Sequence, residues 1–179
     1  MTATYMVRKA GIKDIEAISA VQIQSWKETY PGIMPQQKLD GMSMERSSRH
    51  WQAIFCGGYT VLAAETEGRV VGFAAGGKKF EYQNCETGLA NACDCELEAL
   101  YLLKKFHGRG MGKALFHRFA DLMRQEKKHV MTVWVAEKNP STGFYEAMGG
   151  ELVDRMALVV CKVPVPAICY RFTLGIQPV

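Results

Sequence analysis

Residues 97–115, LEALYLLKKFHGRGMGKAL, constrain this chain more than any other stretch. An apolar run from Leu97 to Leu103 gives way to basic residues, then to Gly108, Gly110 and Gly112, and then to an amphipathic pattern. The order is a strand, a tight glycine-rich loop and a helix N-terminus. Glycine admits positive φ and lets the backbone come close to a ligand. The first-turn N–H groups of a helix have no intrahelical partner and point at whatever sits above them. Lys104, Lys105, Arg109 and Lys113 add positive charge at the same place. These features point to a phosphate, and to a diphosphate in particular.

Spacing excludes two familiar phosphate loops. A Walker A loop requires Gly, four residues, then Gly-Lys-Ser/Thr. Here Gly112-Lys113 is followed by Ala114, and neither Gly108 nor Gly110 stands at the required distance. A dinucleotide fingerprint requires Gly or Ala three residues after its second glycine. That position holds Lys113 or Leu115, depending on which glycine is counted.

The pattern His107-Gly108-Arg109-Gly110-Met111-Gly112 instead resembles the Gln/Arg-x-x-Gly-x-Gly/Ala signature of the GNAT superfamily of acetyl-CoA-dependent N-acetyltransferases. The glycines match, and His107 replaces the usual Gln or Arg. A second segment, WVAEKNPSTGFYEAMGG, is similar to another family pattern: a strand, an Asn at its end, a short helix carrying Phe-Tyr, then Ala-x-Gly. Asn139, Phe144, Tyr145 and Gly149 occupy those places, and Gly150 stands where an aromatic is common. The resemblance implies a mixed α/β (α+β) GNAT fold, with a central, mostly antiparallel twisted sheet flanked by helices on both faces.

Size and composition agree with a single domain spanning residues 1–179. A net charge of +4 is too mild to argue for nucleic acid or a membrane surface. No apolar run approaches the ~20 residues that a membrane span needs. The N-terminal MTATYMVRKAG lacks the apolar core of a secretory signal. Six cysteines in so long a chain do not read as a disulfide framework, so reduced thiols and a cytoplasmic location are expected. Cys93-Asp94-Cys95 is too tight for a zinc pair and has no second pair nearby, so no metal is expected.

Along the chain, Tyr5 to Lys9 reads as a strand. A helix begins near Asp14, a good N-cap residue, with Ile15, Ile18 and Val21 on one face. Ser43 to Phe55 reads as a second helix stopped at Gly57-Gly58. Tyr59 to Glu65 and Arg69 to Gly77 form a hairpin through Thr66-Glu67-Gly68. Phe80 to Asp94 is an insertion without periodicity. After the glycines, Met111, Leu115, Phe119 and Leu122 share one helical face, which is core packing. Glu151 to Leu174 reads as two strands separated by a Pro164-Val165-Pro166 turn. This hairpin either shapes the acceptor pocket or makes a homodimer contact, and the sequence leaves both open.

Between Phe80 and Leu103 there is no Lys or Arg, while Glu81, Glu86, Asp94, Glu96 and Glu98 all fall there. The basic end suits phosphate, and the acidic end suits a cationic amine. Alternation puts Glu96, Glu98, Leu100 and Leu102 on one face and Leu97, Ala99, Tyr101 and Leu103 on the other. Beyond Glu98 both faces are apolar, as in a central strand. Two carboxylates at the entrance of such a strand have a use in amine acetylation. An alkylammonium with a pKa near ~10.4 must lose a proton before it attacks.

The family resemblance carries roles onto individual residues. Glu96 would be the base, with Glu98 as its same-face alternative. The backbone of Leu100, Tyr101 and Leu102 would pair with the pantetheine arm, and the Leu102 amide would polarise the thioester carbonyl. The loop His107 to Lys113 would hold the pyrophosphate. Asn139 would hydrogen-bond the pantetheine, with Ser141 and Phe144 beside it, and Tyr145 would protonate the departing thiolate. SWKETYPG resembles a family segment that walls the acceptor site, so Trp26 and Tyr30 are either substrate contacts or core aromatics. The implied activity is direct acetyl transfer to a primary amine, with a small cationic molecule as acceptor. A protein N-terminus or lysine is the alternative acceptor, and a non-catalytic acetyl-CoA sensor the alternative function. No acyl-enzyme is expected, since Cys93 and Cys95 match no catalytic position of the family.

Overall fold

A computed structural model describes residues 5–175. Strands β1 (Tyr5–Lys9), β2 (Thr60–Thr66), β3 (Arg69–Gly76), β4 (Cys95–Leu102), β5 (Val130–Ala136), β6 (Glu151–Val160) and β7 (Val163–Thr173) form one sheet in the order β1-β2-β3-β4-β5-β7-β6. Every neighbouring pair is antiparallel except β4 with β5. The helices are α1 (Ile15–Thr29), α2 (Gln36–Asp40), α3 (Met44–Cys56), α4 (Met111–Gln125) and α5 (Thr142–Ala147). Among the described residues no helix is long and apolar enough to cross a membrane.

Helices lie on both faces, as expected. On one face α4 buries Met111, Leu115, Phe119 and Leu122. Leu115, Phe119 and Leu122 join Leu97, Met131, Val133 and Tyr170 in the largest apolar cluster. On the other face Ile18 and Val21 of α1 and Trp51 of α3 pack on Phe73 and Ala75. A separate cluster there joins Ala90 of the 77–94 segment to Val153 and Cys169. That segment is therefore docked on the sheet rather than free.

Three local expectations change. Asp14 makes no side-chain cap for α1; its carboxylate instead accepts two 2.8 Å bonds from Arg8 and one of 2.9 Å from the Gly11 N–H. The C-terminal hairpin turns at Cys161-Lys162, both at positive φ (49° and 64°), not at Pro164-Val165-Pro166. A two-residue turn with positive φ at both positions matches the strand twist. It makes Val160 and Val163 the closing pair, so Pro164 and Pro166 turn their nitrogens away from β6. On that side β5 pairs as far as Ala167; the Glu137 N–H still donates to the Pro166 carbonyl at 2.9 Å, and the proline, with no N–H to return, ends the ladder there.

The third change bears on the site. In β4 the register runs from Ala75↔Ala99 directly to Gly76↔Leu97, leaving Glu98 as the extra residue of a β-bulge. The alternation read from the sequence breaks there. Leu97 and Leu100 both pack on the α4 side, whereas Ala99 and Tyr101 pack on the α1 side. Glu98 therefore does not share a face with Leu100 and Leu102.

Candidate active site

Strands β4 and β5 pair only through Cys95↔Met131 and Glu96↔Thr132, and then part. A cavity of about 400 Å³ opens between Leu97–Leu102 on one side and Val133–Val135 on the other. The Leu103 N–H donates to the Val71 carbonyl at 3.0 Å. Alternation along an antiparallel ladder then turns the N–H and C=O of Leu102 and Leu100 away from β3 and into the gap. This edge can take an extended ligand as an added strand.

The glycine loop closes one end of the cavity. Gly108 and Gly110 lie at φ +72° and +82°, a region open to glycine at little cost. The first intrahelical bond of α4 is Ala114 N–H to Gly110 O, so the amides of Met111, Gly112 and Lys113 point out of the helix end. His107, Gly108, Gly110, Gly112 and Lys113 line the cavity. Met111 is fully buried beneath it, and Arg109 stacks over the Phe106 ring. His107 Nε2 lies 2.8 Å from the Leu102 carbonyl, so the residue that departs from the family pattern ties the loop to the open strand edge. Free amides, positive dipole and basic side chains suit a diphosphate here.

Tyr145 comes from α5 and lines the middle of the cavity. Burial, and then the nearby Tyr30, push its pKa up, so the phenol keeps its proton at neutral pH. Asn139 is buried; its Nδ2 donates to the Tyr30 hydroxyl at 3.2 Å and its Oδ1 accepts the Ser141 N–H at 2.8 Å. Ser141 and Phe144 line the same wall. At Gly150, a Cβ would lie 2.7 Å from the Phe172 ring, so β7 already fills the room an aromatic there would take.

Glu96 and Glu98, paired in the sequence, separate in space. Glu96 is 5% exposed, borders neither cavity, and accepts a 2.8 Å bond from the Tyr82 hydroxyl. Glu98 borders the main cavity and also a second one of about 180 Å³. Its Oε1 is buried and has no hydrogen-bond partner among the described residues. Burial pushes Glu96 up to about 7 against the opposing Tyr82 bond. Burial and then the charge of Glu96 push Glu98 up to about 7, with Lys78 pulling the other way. Because the charge of Glu96 acts on Glu98, the two carboxyls titrate as a pair.

Trp26 lines the second cavity and Tyr30 the first, and their rings pack 4.7 Å apart. The second cavity also draws on Gln22, His50, Trp51 and Tyr59, none of which carries a motif. Only the acidic stretch before β4 hinted at Tyr82. Among the described residues no group of three or more His, Cys, Asp or Glu is placed to hold a metal.

Parting strands, a phosphate-suited loop at one end and an acceptor-sized pocket at the other define a group-transfer enzyme with an extended donor. The model of the acetyltransferase (GNAT) family matches residues 22–150. An uncharacterized N-acetyltransferase of Bacillus subtilis, YuaI, is 35% identical over 147 residues, covering 82% of this chain and 80% of its own. A probable N-acetyltransferase of Mycobacterium tuberculosis, Rv2775, is 26% identical over 181 residues, covering 96% and 95%. A putative acetyltransferase from Salmonella typhimurium, yncA, whose structure contains acetyl-CoA, shares the fold with a TM-score of 0.70 at 20% identity over 98% and 96% of the chains. The chain belongs to the GNAT family and is an acyltransferase.

Proposed function

We propose that this protein transfers acetyl from acetyl-CoA to the primary amine of a small cationic molecule by direct attack. The observation that carries this reading is the convergence of Tyr145, Glu98 and the free edge of Leu100–Leu102 on one cavity that ends at the glycine loop. Bound acetyl-CoA supplies an activated thioester. The loop amides and Lys113 hold its diphosphate, and the β4 edge holds its pantetheine arm. Glu98 takes the proton of the incoming ammonium, the Leu102 N–H steadies the carbonyl oxygen, and the Tyr145 hydroxyl protonates the leaving sulfur.

The second cavity supports the choice of acceptor. Its walls are mostly aromatic and aliphatic, and Glu98 is its carboxylate. His50, pushed down by burial and then by Lys38, adds no charge at neutral pH. A compact primary amine with an apolar body suits such a pocket. All six cysteines are free thiols, which supports a cytoplasmic location, where acetyl-CoA is made and used.

The test is thiol release from acetyl-CoA against small amines, amino acids, polyamines and short peptides. We expect turnover with a compact monoamine. Tyr145→Phe should then lower kcat by about tenfold or more, as loss of a general acid does, while acetyl-CoA still binds. Turnover with peptides alone would overturn the acceptor class. No turnover with any amine, with acetyl-CoA bound, would favour a sensing role.

A further inference from the structure

The segment between β3 and β4 carries no part of the transfer described above, yet it is fastened to the sheet at several points. Asp154 of β6 is buried, and its carboxylate accepts the N–H groups of Thr87 (3.0 Å), Ala90 (3.1 Å) and Arg155 (2.9 Å). The Thr87 hydroxyl donates to the Val153 carbonyl at 2.9 Å, and the Glu86 N–H to the Arg155 carbonyl at 3.0 Å. Val153 is itself an extra residue in the β6–β7 register, and that bulge brings Asp154 to the docking side.

Within the segment, the Asn91 side chain clamps the Tyr82 backbone. Its Oδ1 accepts the Tyr82 N–H and its Nδ2 donates to the Tyr82 carbonyl, both at 2.9 Å. The Tyr82 ring stands edge-on to Trp134 of β5, with centroids 5.4 Å apart. So fixed, its hydroxyl meets Glu96 Oε2 at 2.8 Å. The insertion therefore delivers a hydrogen-bond donor to the buried Glu96 and leaves the buried Oε1 of the half-buried Glu98 without one.

We propose that Tyr82 is a positioning residue of the acetyl transfer: it ties Glu96 down as a bonded anchor and so leaves Glu98 free to take the proton of the amine. The proposal rests on the transfer reaction assigned to this site. A buried carboxylate without a donor is costly and takes up a proton instead. Among the described residues Glu96 has no hydrogen-bond donor other than Tyr82. The groups that face it are Glu98 on its own strand, Cys93 at the end of the insertion, Cys169 of β7 and Thr132, its partner on β5. Burial pushes both thiols up, so neither brings charge. Glu98 faces Lys78 and Tyr59, and His50 lines the same pocket. Lys78 is the one cation of that set. Without the Tyr82 hydroxyl, Glu96 keeps its proton to higher pH and stops repelling Glu98, which then ionises more easily.

The experiment is the pH profile of kcat/KM with one amine acceptor, for the full-length wild type, Tyr82→Phe, Glu96→Gln and Glu98→Gln. We expect the acid limb of Tyr82→Phe to move down by about half a pH unit or more through loss of the neighbouring charge. The KM for acetyl-CoA should stay unchanged. Glu96→Gln, neutral at every pH, should move the limb the same way, and it answers the question even if the tyrosine variant folds poorly. Glu98→Gln should remove the limb and lower kcat by about a hundredfold, as loss of a general base does. An upward shift in Tyr82→Phe would make Glu96 the base and overturn the proposal, and an unmoved limb would reduce Tyr82 to packing. Wild type that acetylates no amine would overturn the transfer function itself, and the positioning role with it.

Discussion

Gly76 faces the carbonyl oxygen of Glu96 across the bulge, so closely that a Cβ on Gly76 would run into that oxygen and come within 3.0 Å of the Glu98 amide nitrogen. The bulge that turns Glu98 toward the second cavity exists because one side of it has no side chain. The adjacent Gly77 N–H then bonds the same Glu96 carbonyl at 2.9 Å.

Gly76→Ala should therefore cost stability and activity together. The close contacts are to backbone, which cannot swing aside, and overpacking of this kind costs about 1–3 kcal/mol. Urea unfolding should show that loss, and kcat should fall more than the KM for acetyl-CoA rises. A variant of full stability and full kcat would show that the bulge tolerates a side chain.

Glu98 links activity to stability with opposite signs. Its pKa in the fold is raised from 4.5 to about 7, by burial first and then by Glu96. A carboxyl raised in the folded state stabilises fully below its unfolded value, and that contribution is lost as pH rises through the folded value. Wild type should thus lose stability between about pH 4.5 and pH 7, the range in which the proposed base ionises. Glu98→Gln should be more stable than wild type at pH 8, by about 1–2 kcal/mol once the shift is discounted for the partial exposure of the side chain, and nearly equal to it at pH 5. Thermal unfolding at the two pH values measures the difference, and an equal Tm at pH 8 would contradict the burial of a strained carboxylate.

His107 lines the cavity and also ties the glycine loop to the open strand edge through the Leu102 carbonyl. Removing its bond to the Leu102 carbonyl frees the loop, at a cost of about 1 kcal/mol. His107→Ala should raise the KM for acetyl-CoA about fivefold with little change in kcat. His107→Gln, which can still donate to Leu102, should recover most of the affinity. If alanine and glutamine behave alike, the bond contributes nothing to the site.

Asp14 anchors the start of α1, whose far end carries Trp26 to the wall of the second cavity. The Arg8 guanidinium holds Asp14 down to about 2, and the Gly11 amide adds to this against the cost of burial. A depressed folded pKa gives stability above the unfolded value of 3.8 that is lost as pH falls through about 2. Asp14→Ala should destabilise the protein by about 2 kcal/mol at pH 7, with the difference shrinking toward pH 2. A constant difference across that range would mean that packing, not charge, accounts for it.

The residues easiest to read in the sequence were those whose role is local. The loop from His107 to Lys113 and the α4 stripe of Met111, Leu115, Phe119 and Leu122 fall where their spacing put them. The Asn139 to Tyr145 segment lines the same cavity as the glycine loop. Gln22, His50 and Tyr59 had no such signal, because a pocket wall built from α1, α3 and the loop before β2 leaves no spacing to read. The Pro164-Val165-Pro166 turn failed for a related reason. Proline breaks a ladder only where its nitrogen faces a partner strand, and that depends on where β5 ends.

The sequence by itself determined the strand–loop–helix order and carried the two motifs that resemble the family, since glycine φ freedom, hydrophobic period and motif spacing are properties of neighbours along the chain. The tertiary structure alone decided which of two glutamates, Glu96 or Glu98, has no hydrogen-bond donor. That choice depends on a bulge set by register with β3 and on a tyrosine brought by an insertion docked on β6. Register, burial and the resulting pKa arise from contacts between residues far apart in sequence, and no local pattern records them.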